Sequence, residues 1–269
     1  MPAVSIIIAA FNAHDTLGAA IDSILAQDFS DFEIVIAPDE PADYAAFAAR
    51  DVRIRVLDGV PVPTGPGPAR NRALAAARGD WIALLDADDL WSPNYLGALL
   101  RAAESAGAAF GRTSVRDEND RELRSIPSES YRGPANFQLF ARAFGSFHAL
   151  ARRDSERSWS SLFAEDILFD METLSLAGGE APYVPDAVYM LRSRAQSATR
   201  SASFIGNIGK HYATIIDKIA DGRTKIGSAH RAEAVAVFES WAAMNDRFLQ
   251  ASAADPLLKY QNYISSLKL

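Results

Sequence analysis

The stretch "VSIIIAAFNAHDTLGAAIDSILAQDFSDFEIVIAPDE", Val4 to Glu40, changes its hydrophobic period twice. Residues 4–12 form a continuous apolar, β-branched run, the pattern of a strand buried on both faces. Leu17, Ala20, Ile21, Ile24 and Leu25 then repeat at helical spacing, with Asp15 placed to cap the helix N-terminus. The run "FEIVIA" (32–37) returns to strand character and breaks off in "PDEPAD", and a short third strand is expected in "IRVLD" (54–58). Strand, helix, strand, helix, strand is the order of a parallel sheet with crossover helices. The class predicted is therefore α/β, with a mostly parallel, Rossmann-like central sheet flanked by helices.

Downstream, a Pro/Gly-rich loop (59–68) leads into "ARNRALAAARG", an Ala/Arg-rich helix expected to close at Gly79, and then into the strand "DWIALLD". Asp86, Asp88 and Asp89 therefore fall at the carboxyl end of a strand. That edge is where open α/β sheets bind ligands, because the crossover loops leave a crevice there. "SPNYLGALLRAAESAG" predicts a further helix with Ser92 as N-cap and Pro93 at its first position. From about residue 110 the pattern loosens until "FHALARR" and "LFAEDILFDMETLSLAGG". Beyond residue 200, "FIGNIGKHYATIIDKIA" and "RAEAVAVFESWAAMNDRFL" carry helix-period apolar faces. They predict a C-terminal helical extension whose stripes serve as core or as a homodimer contact, with a membrane-surface face as the weaker alternative.

At 269 residues and 49% hydrophobic composition, the chain can bury a substantial core. Its formal charge of −7 argues against nucleic acid as a partner. Residues 1–199 hold 18 Arg and 28 Asp/Glu, whereas residues 200–269 hold nine Lys/Arg and six Asp/Glu, a basic tail on an acidic body. With no cysteine there is no disulfide framework, thiolate nucleophile or zinc–thiolate site. No long uncharged apolar run and no signal-peptide pattern occur, which predicts a cytoplasmic protein; the basic tail keeps open a peripheral place at the inner face of the plasma membrane.

Three carboxylates within four residues repel one another, and turning them into a crevice costs desolvation unless a cation is bound. Oxygen ligands favour Mn²⁺ or Mg²⁺, which take one or two protein carboxylates and complete their shell with phosphate oxygens and water. The plainer alternative is an acidic turn ahead of the helix near Ser92, favoured by that helix's dipole.

"VSIIIAAFN", then "SILAQDFSDFEIVIAPDE", then "GPARNRALAAARGDWIALLDADDLWSP" together resemble the nucleotide-sugar half of glycosyltransferase family 2, inverting enzymes of the GT-A fold, over roughly residues 3–100. The resemblance implies that Asp88 is the direct metal ligand, that Asp86 faces the ribose or the metal shell, and that Asp89 supports them. It implies that Ala10, Phe11 and Asn12 line the base and ribose pocket. Asp39 would meet the base; the family usually carries two acids there and this chain has Pro38-Asp39. Arg70 and Asn71 match the family's Ala-Arg-Asn and would bind the donor. On the residues alone, Asp39 can equally cap a turn, Phe11 can be structural, and Arg70 can pair with a nearby aspartate and still order the site.

Further along, the pair Glu165-Asp166 in "FAEDILFDMETL" stands where the family places its base. The resemblance makes Asp166 the general base for the acceptor hydroxyl, with Glu165 assisting; in isolation the pair reads as an ordinary acidic first turn. "VYMLRSRAQSATR" (188–200) resembles the family's Tyr-Arg-x-His-x-x-Ser segment, with Arg192, Arg194 and Ser197 at its Arg, His and Ser positions. Arg194 departs from the imidazole, and both arginines are expected to neutralise the diphosphate. His148 and Trp159 fall in the half that shapes the acceptor pocket, with packing as the alternative for each.

The resulting expectation is a metal-dependent inverting glycosyltransferase of cell-surface polysaccharide synthesis. It would move a sugar from a nucleoside-diphosphate donor, UDP-linked, to a saccharide or lipid-linked hydroxyl. A non-catalytic sugar-nucleotide-binding or scaffold protein on the same fold is the alternative. A nucleotidyltransferase would want a Gly-rich basic loop after the first strand, and "AAFNAHD" has none. The expected division is a nucleotide-sugar half (1–110), an acceptor half of the same domain (111–200) and a helical segment (201–269).

Overall fold

The computed structural model describes residues 1–193, 202–255, 258 and 260–266. The chain begins β1 (Val4–Ala10), α1 (His14–Leu25), β2 (Phe32–Pro38), α2 (Ala45–Ala48), β3 (Ile54–Val56), α3 (Pro66–Ala76) and β4 (Trp81–Leu84). β1 lies between β2 and β4, parallel to both, and β2 is parallel to β3. Ile6 and Ile8 pack with Leu17, Ile21 and Ile24 of α1, while Ile7 packs with Val35 and with Ala73 and Leu74 of α3. Alternate side chains thus meet helices on opposite faces. This is why the run is apolar without alternation.

The chain continues β5 (Leu90–Trp91), α4 (Tyr95–Ala103), β6 (Ala108–Arg116), β7 (Glu122–Ile126), β8 (Ala135–Asn136), α5 (Phe137–Ala143), β9 (Ala149–Arg152), α6 (Glu165–Leu176), β10 (Glu180–Ala181) and β11 (Tyr183–Arg192). The main sheet runs β3-β2-β1-β4-β9-β6-β11-β5, with β7 beside β6. Its first four strands are parallel; β9, inside "FHALARR", enters antiparallel to both β4 and β6 and makes the second half mixed. The helices α7 (Ala202–Ala220), α8 (Arg231–Ala254) and α9 (Tyr260–Ser266) close the chain. Ile215, Ile219, Val237, Phe238 and Met244 share one cluster with Phe110, Phe140 and Leu174, so their apolar stripes belong to the chain's own core. Among the described residues no helix is long and apolar enough to cross a membrane.

Three local expectations are corrected. Asp15 lies in the first turn of α1, and Ala13 occupies the cap position. Asn94, not Ser92, precedes α4; Ser92 Oγ donates to Asn94 Oδ1 and accepts from the Val188 N–H, tying the helix start to β11. α3 ends at Ala76, and Gly79 is needed for close approach instead of a helix cap: a Cβ there would stand 2.6 Å from the Ser5 nitrogen.

Candidate active site

The acidic turn follows β4 and is fixed from three sides. The Asp89 N–H donates to the Asp86 carbonyl, closing the turn, and Thr16 Oγ1 of α1 donates to the Ala87 carbonyl at 2.8 Å. Tyr189 of β11 accepts from the Asp86 N–H at 3.1 Å and donates to Asp89 Oδ2 at 2.9 Å. Arg192 donates its backbone N–H to Asp89 Oδ1 at 2.7 Å and its Nε to the Asp88 carbonyl at 2.5 Å. Asp89 is buried, and burial together with Asp88 and Asp86 pushes its carboxyl well above the usual range. It anchors the turn, leaving Asp86 and Asp88, both half-buried, at the crevice.

Arg70 is brought to this turn by a clasp between α3 and the segment before α6. Gly67 lies so close to the Ser160 carbonyl that a Cβ would overlap it, and Asn71 pairs with the Trp159 backbone at both its C=O (2.8 Å) and its N–H (2.7 Å). The buried guanidinium of Arg70 then forks, giving one nitrogen to Asp86 Oδ1 at 2.7 Å and the other to Glu165 Oε1 at 2.5 Å. Burial pushes the Glu165 carboxyl up to about 7 against the pull of Arg70, with Asp166 and Asp86 adding to the rise. Burial likewise holds His148 below its ordinary range despite Asp86 and Asp166; its Nε2 lies 4.0 Å from Asp86 Oδ2. Asp166, next along α6, is half-buried and accepts from Ser146 Oγ at 2.6 Å. Phe163 is 37% exposed just before that helix, with its ring edge-on to His211 of α7.

The carboxyl ends of β1 and β2 build a second wall. Phe11 is 54% exposed, and Asn12, at φ 49°, donates its N–H to Glu40 Oε1 at 2.6 Å. Glu40 also accepts from Tyr44 Oη, which takes the Ala13 N–H. Asp39 is buried and holds the 59–65 loop, accepting from the Thr64 N–H and hydroxyl and from the Gly65 N–H at 2.7 Å. Ala10 joins the two strand ends through its carbonyl, which accepts the Asp39 N–H.

The structure thus gathers Ala10, Phe11, Asn12, Asp39, Asp86, Asp88, Arg70, Glu165, Asp166 and Arg192 around one sheet edge. Both terminal nitrogens of Arg70 are engaged by protein carboxylates, which orders the site. Asn71 is committed to the Trp159 backbone. Trp159 is buried and stacked on Phe169 at 4.0 Å. His148 is buried behind Asp86 against Tyr189. Arg194 and Ser197 lie outside the described residues. Sequence reasoning missed Glu40, Tyr44, Thr64, Ser146 and Tyr189; only Tyr189, in the strand before Arg192, carried a positional signal.

The donor set bears on a metal. Among the described residues no three His, Asp or Glu side chains converge into a protein-only cage. Mg²⁺ and Mn²⁺ are commonly held by one or two carboxylates with substrate phosphates and water completing the octahedron. Asp88, with Asp86 behind it, fits such a substrate-completed site.

The profile described as glycosyl transferase family 2 matches residues 5–157. The succinoglycan biosynthesis protein ExoO of Rhizobium meliloti is 31% identical over 224 residues, 74% of this chain and 63% of that protein. The Escherichia coli protein WfgD, named UDP-Glc:alpha-D-GlcNAc-diphosphoundecaprenol beta-1,3-glucosyltransferase, is 38% identical over 96 residues, 35% of this chain and 38% of its own. The chain spans less than two thirds of the length of the curated relatives described here. Among solved structures, Staphylococcus aureus TarS 1–349 in complex with UDP-GlcNAc superposes with a TM-score of 0.69 at 17% identity, covering 97% of this chain and 79% of that one; this likeness carries the GT-A fold.

Proposed function

The chain belongs to glycosyl transferase family 2, and on that premise we propose that it transfers a sugar from a UDP-linked donor to a hydroxyl of a saccharide or lipid-linked acceptor, with inversion. The observation that carries the proposal is the Arg70 fork. It joins Asp86, on the turn suited to a diphosphate-bound cation, to Glu165, the neighbour of Asp166, within one side chain's reach. Two carboxylate groups far apart in sequence are thereby held across one crevice, one for the donor and one for the acceptor.

In this reading Phe11 and Asn12 bound the base and ribose, and Asp39 acts one step removed by holding the Thr64–Gly65 loop as the pocket's rim. Asp88, with Asp86 in support, would hold Mn²⁺ or Mg²⁺, which supplies positive charge to the diphosphate as it leaves. Asp166 takes the proton of the acceptor hydroxyl as that oxygen attacks the anomeric carbon opposite the leaving UDP. Glu165, titrating near neutrality beside Arg70, limits the negative charge next to the base. Arg192 keeps the acidic turn in place, and Phe163 offers an apolar face to an acceptor ring. The names of the relatives support a lipid-linked acceptor and a role in polysaccharide synthesis.

The test is to incubate the chain with UDP-glucose and Mn²⁺ and follow UDP release, beside calorimetric titration with UDP. Binding that requires the metal, with UDP released, supports the transferase. UDP bound tightly without turnover on any acceptor tried would favour a binding protein on the same fold.

A further inference from the structure

A second buried acid lies one turn beyond the proposed base on α6. Asp170 is 2% exposed; its Oδ1 meets the Ala149 N–H at 3.4 Å, and its Oδ2 has no hydrogen-bond partner among the described residues. Neither nearby cation pairs with it. Arg157 gives its Nη2 to the Phe169 carbonyl and Thr173 Oγ1 and lays its guanidinium over the Phe169 ring, while Arg70 is held by Asp86 and Glu165. Burial, then repulsion from Asp166, raises this carboxyl well above its usual range against the weaker pull of Arg157 and Arg70. Tyr95 of α4 also faces it, as an uncharged phenol.

A neutral acid in an apolar wall still needs a partner for its O–H. Beside Asp170 lies a cavity of about 10 Å³, lined by the polar side chains of His148, Asp166 and Asp170, by Leu84 and Phe169, and by Trp159, whose buried Nε1 has no hydrogen-bond partner among the described residues. That is room for one water molecule, and three polar side chains suit a buried water, which takes two to four partners.

We propose that Asp170 is a positioning residue for the base: its protonated carboxyl donates to one water in this cavity, and that water donates to Asp166. Ser146 Oγ already donates to Asp166 Oδ2, so two fixed donors aim the remaining lone pairs at the acceptor. The inference rests on Asp166 being the base.

Infrared difference spectroscopy of the native chain against Asp170→Asn tests the protonation directly. At mildly alkaline pH, where Glu165 is ionised, the difference spectrum shows loss of one protonated-acid carbonyl stretch in the variant, any band from Asp89 being common to both chains and cancelling. No band lost would overturn the inference. In the UDP-release assay with UDP-glucose and Mn²⁺, Asp170→Leu lowers kcat about tenfold with UDP binding kept, whereas Asp170→Asn, whose amide still donates, stays within about twofold of native. Asp170→Asn as slow as Asp170→Leu would reject the donated hydrogen bond. Asp166→Asn separates the two ideas: an unchanged rate there rejects the base and this inference with it. A slowed Asp166→Asn beside an unaffected Asp170→Leu rejects the inference alone.

Discussion

Strands β1, β2 and β4 have buried carboxylates at both ends, and the two ends treat them in opposite ways. At the amino end Glu33 is matched group for group. Its Oε1 accepts from Ser5 Oγ at 2.7 Å and the Arg78 N–H at 2.6 Å, and its Oε2 pairs with Arg55 at 2.9 Å. Burial opposes the charge, but those donors outweigh it and hold the carboxyl below its usual range. At the carboxyl end Asp86 and Glu165 share Arg70, and burial prevails over the donors at two acids: the Glu165 carboxyl is raised to about 7 and that of Asp89, though it accepts from Tyr189 and the Arg192 N–H, stands well above its usual range. The chain can close a sheet end with one acid and its donors. An end whose acids are shifted upward by burial is a candidate place for a ligand, and that perturbation carries more functional meaning than the presence of acids.

Substitutions that separate the two ends test the contrast. The largest effect is expected from Asp166→Asn, which lowers UDP-sugar turnover about 10²–10⁴-fold while UDP binding by calorimetry stays native. Arg70→Met leaves the buried Glu165 and the half-buried Asp86 without their cation and is expected to lower the unfolding free energy by about 3–5 kcal/mol in urea titration. Glu33→Gln is expected to cost about 1–3 kcal/mol in the same titration with turnover unchanged; loss of turnover there would erase the distinction between the ends.

The smallest effect, of opposite sign at the two ends, is in stability against pH. Glu165, raised from 4.5 to about 7 in the fold, contributes stability that is full below pH 4.5 and lost as pH rises through about 7. Glu33, lowered from 4.5, contributes stability present above 4.5 and lost as pH falls through its folded value. Urea midpoints from pH 3 to 8 should lose the neutral-side slope in Glu165→Gln and the acid-side slope in Glu33→Gln.

The parallel half of the sheet was legible because β1 and β2 are continuous apolar runs whose residues meet helices on both faces. The acidic turn was legible because three carboxylates break such a run. Glu165 and Asp166 alone read as an ordinary helix start; only the family resemblance picked them out. The rest is held by pairings that no local pattern encodes. Asn71 meets Trp159, and Tyr189 meets Asp86 and Asp89, across some 90 to 100 residues, and β9 enters the sheet on backbone pairing with β4 and β6. Asp39 was placed at the right strand end, but its partner Thr64 sits in a loop whose fold depends on that carboxylate.

The turn after β4 is expected to hold a diphosphate through a divalent cation. Calorimetric titration of UDP in millimolar Mn²⁺, on the native chain and on Asp88→Ala, tests it most directly. Native binding should depend on the metal and weaken roughly 10–100-fold in Asp88→Ala; equal affinity in the two proteins would contradict it.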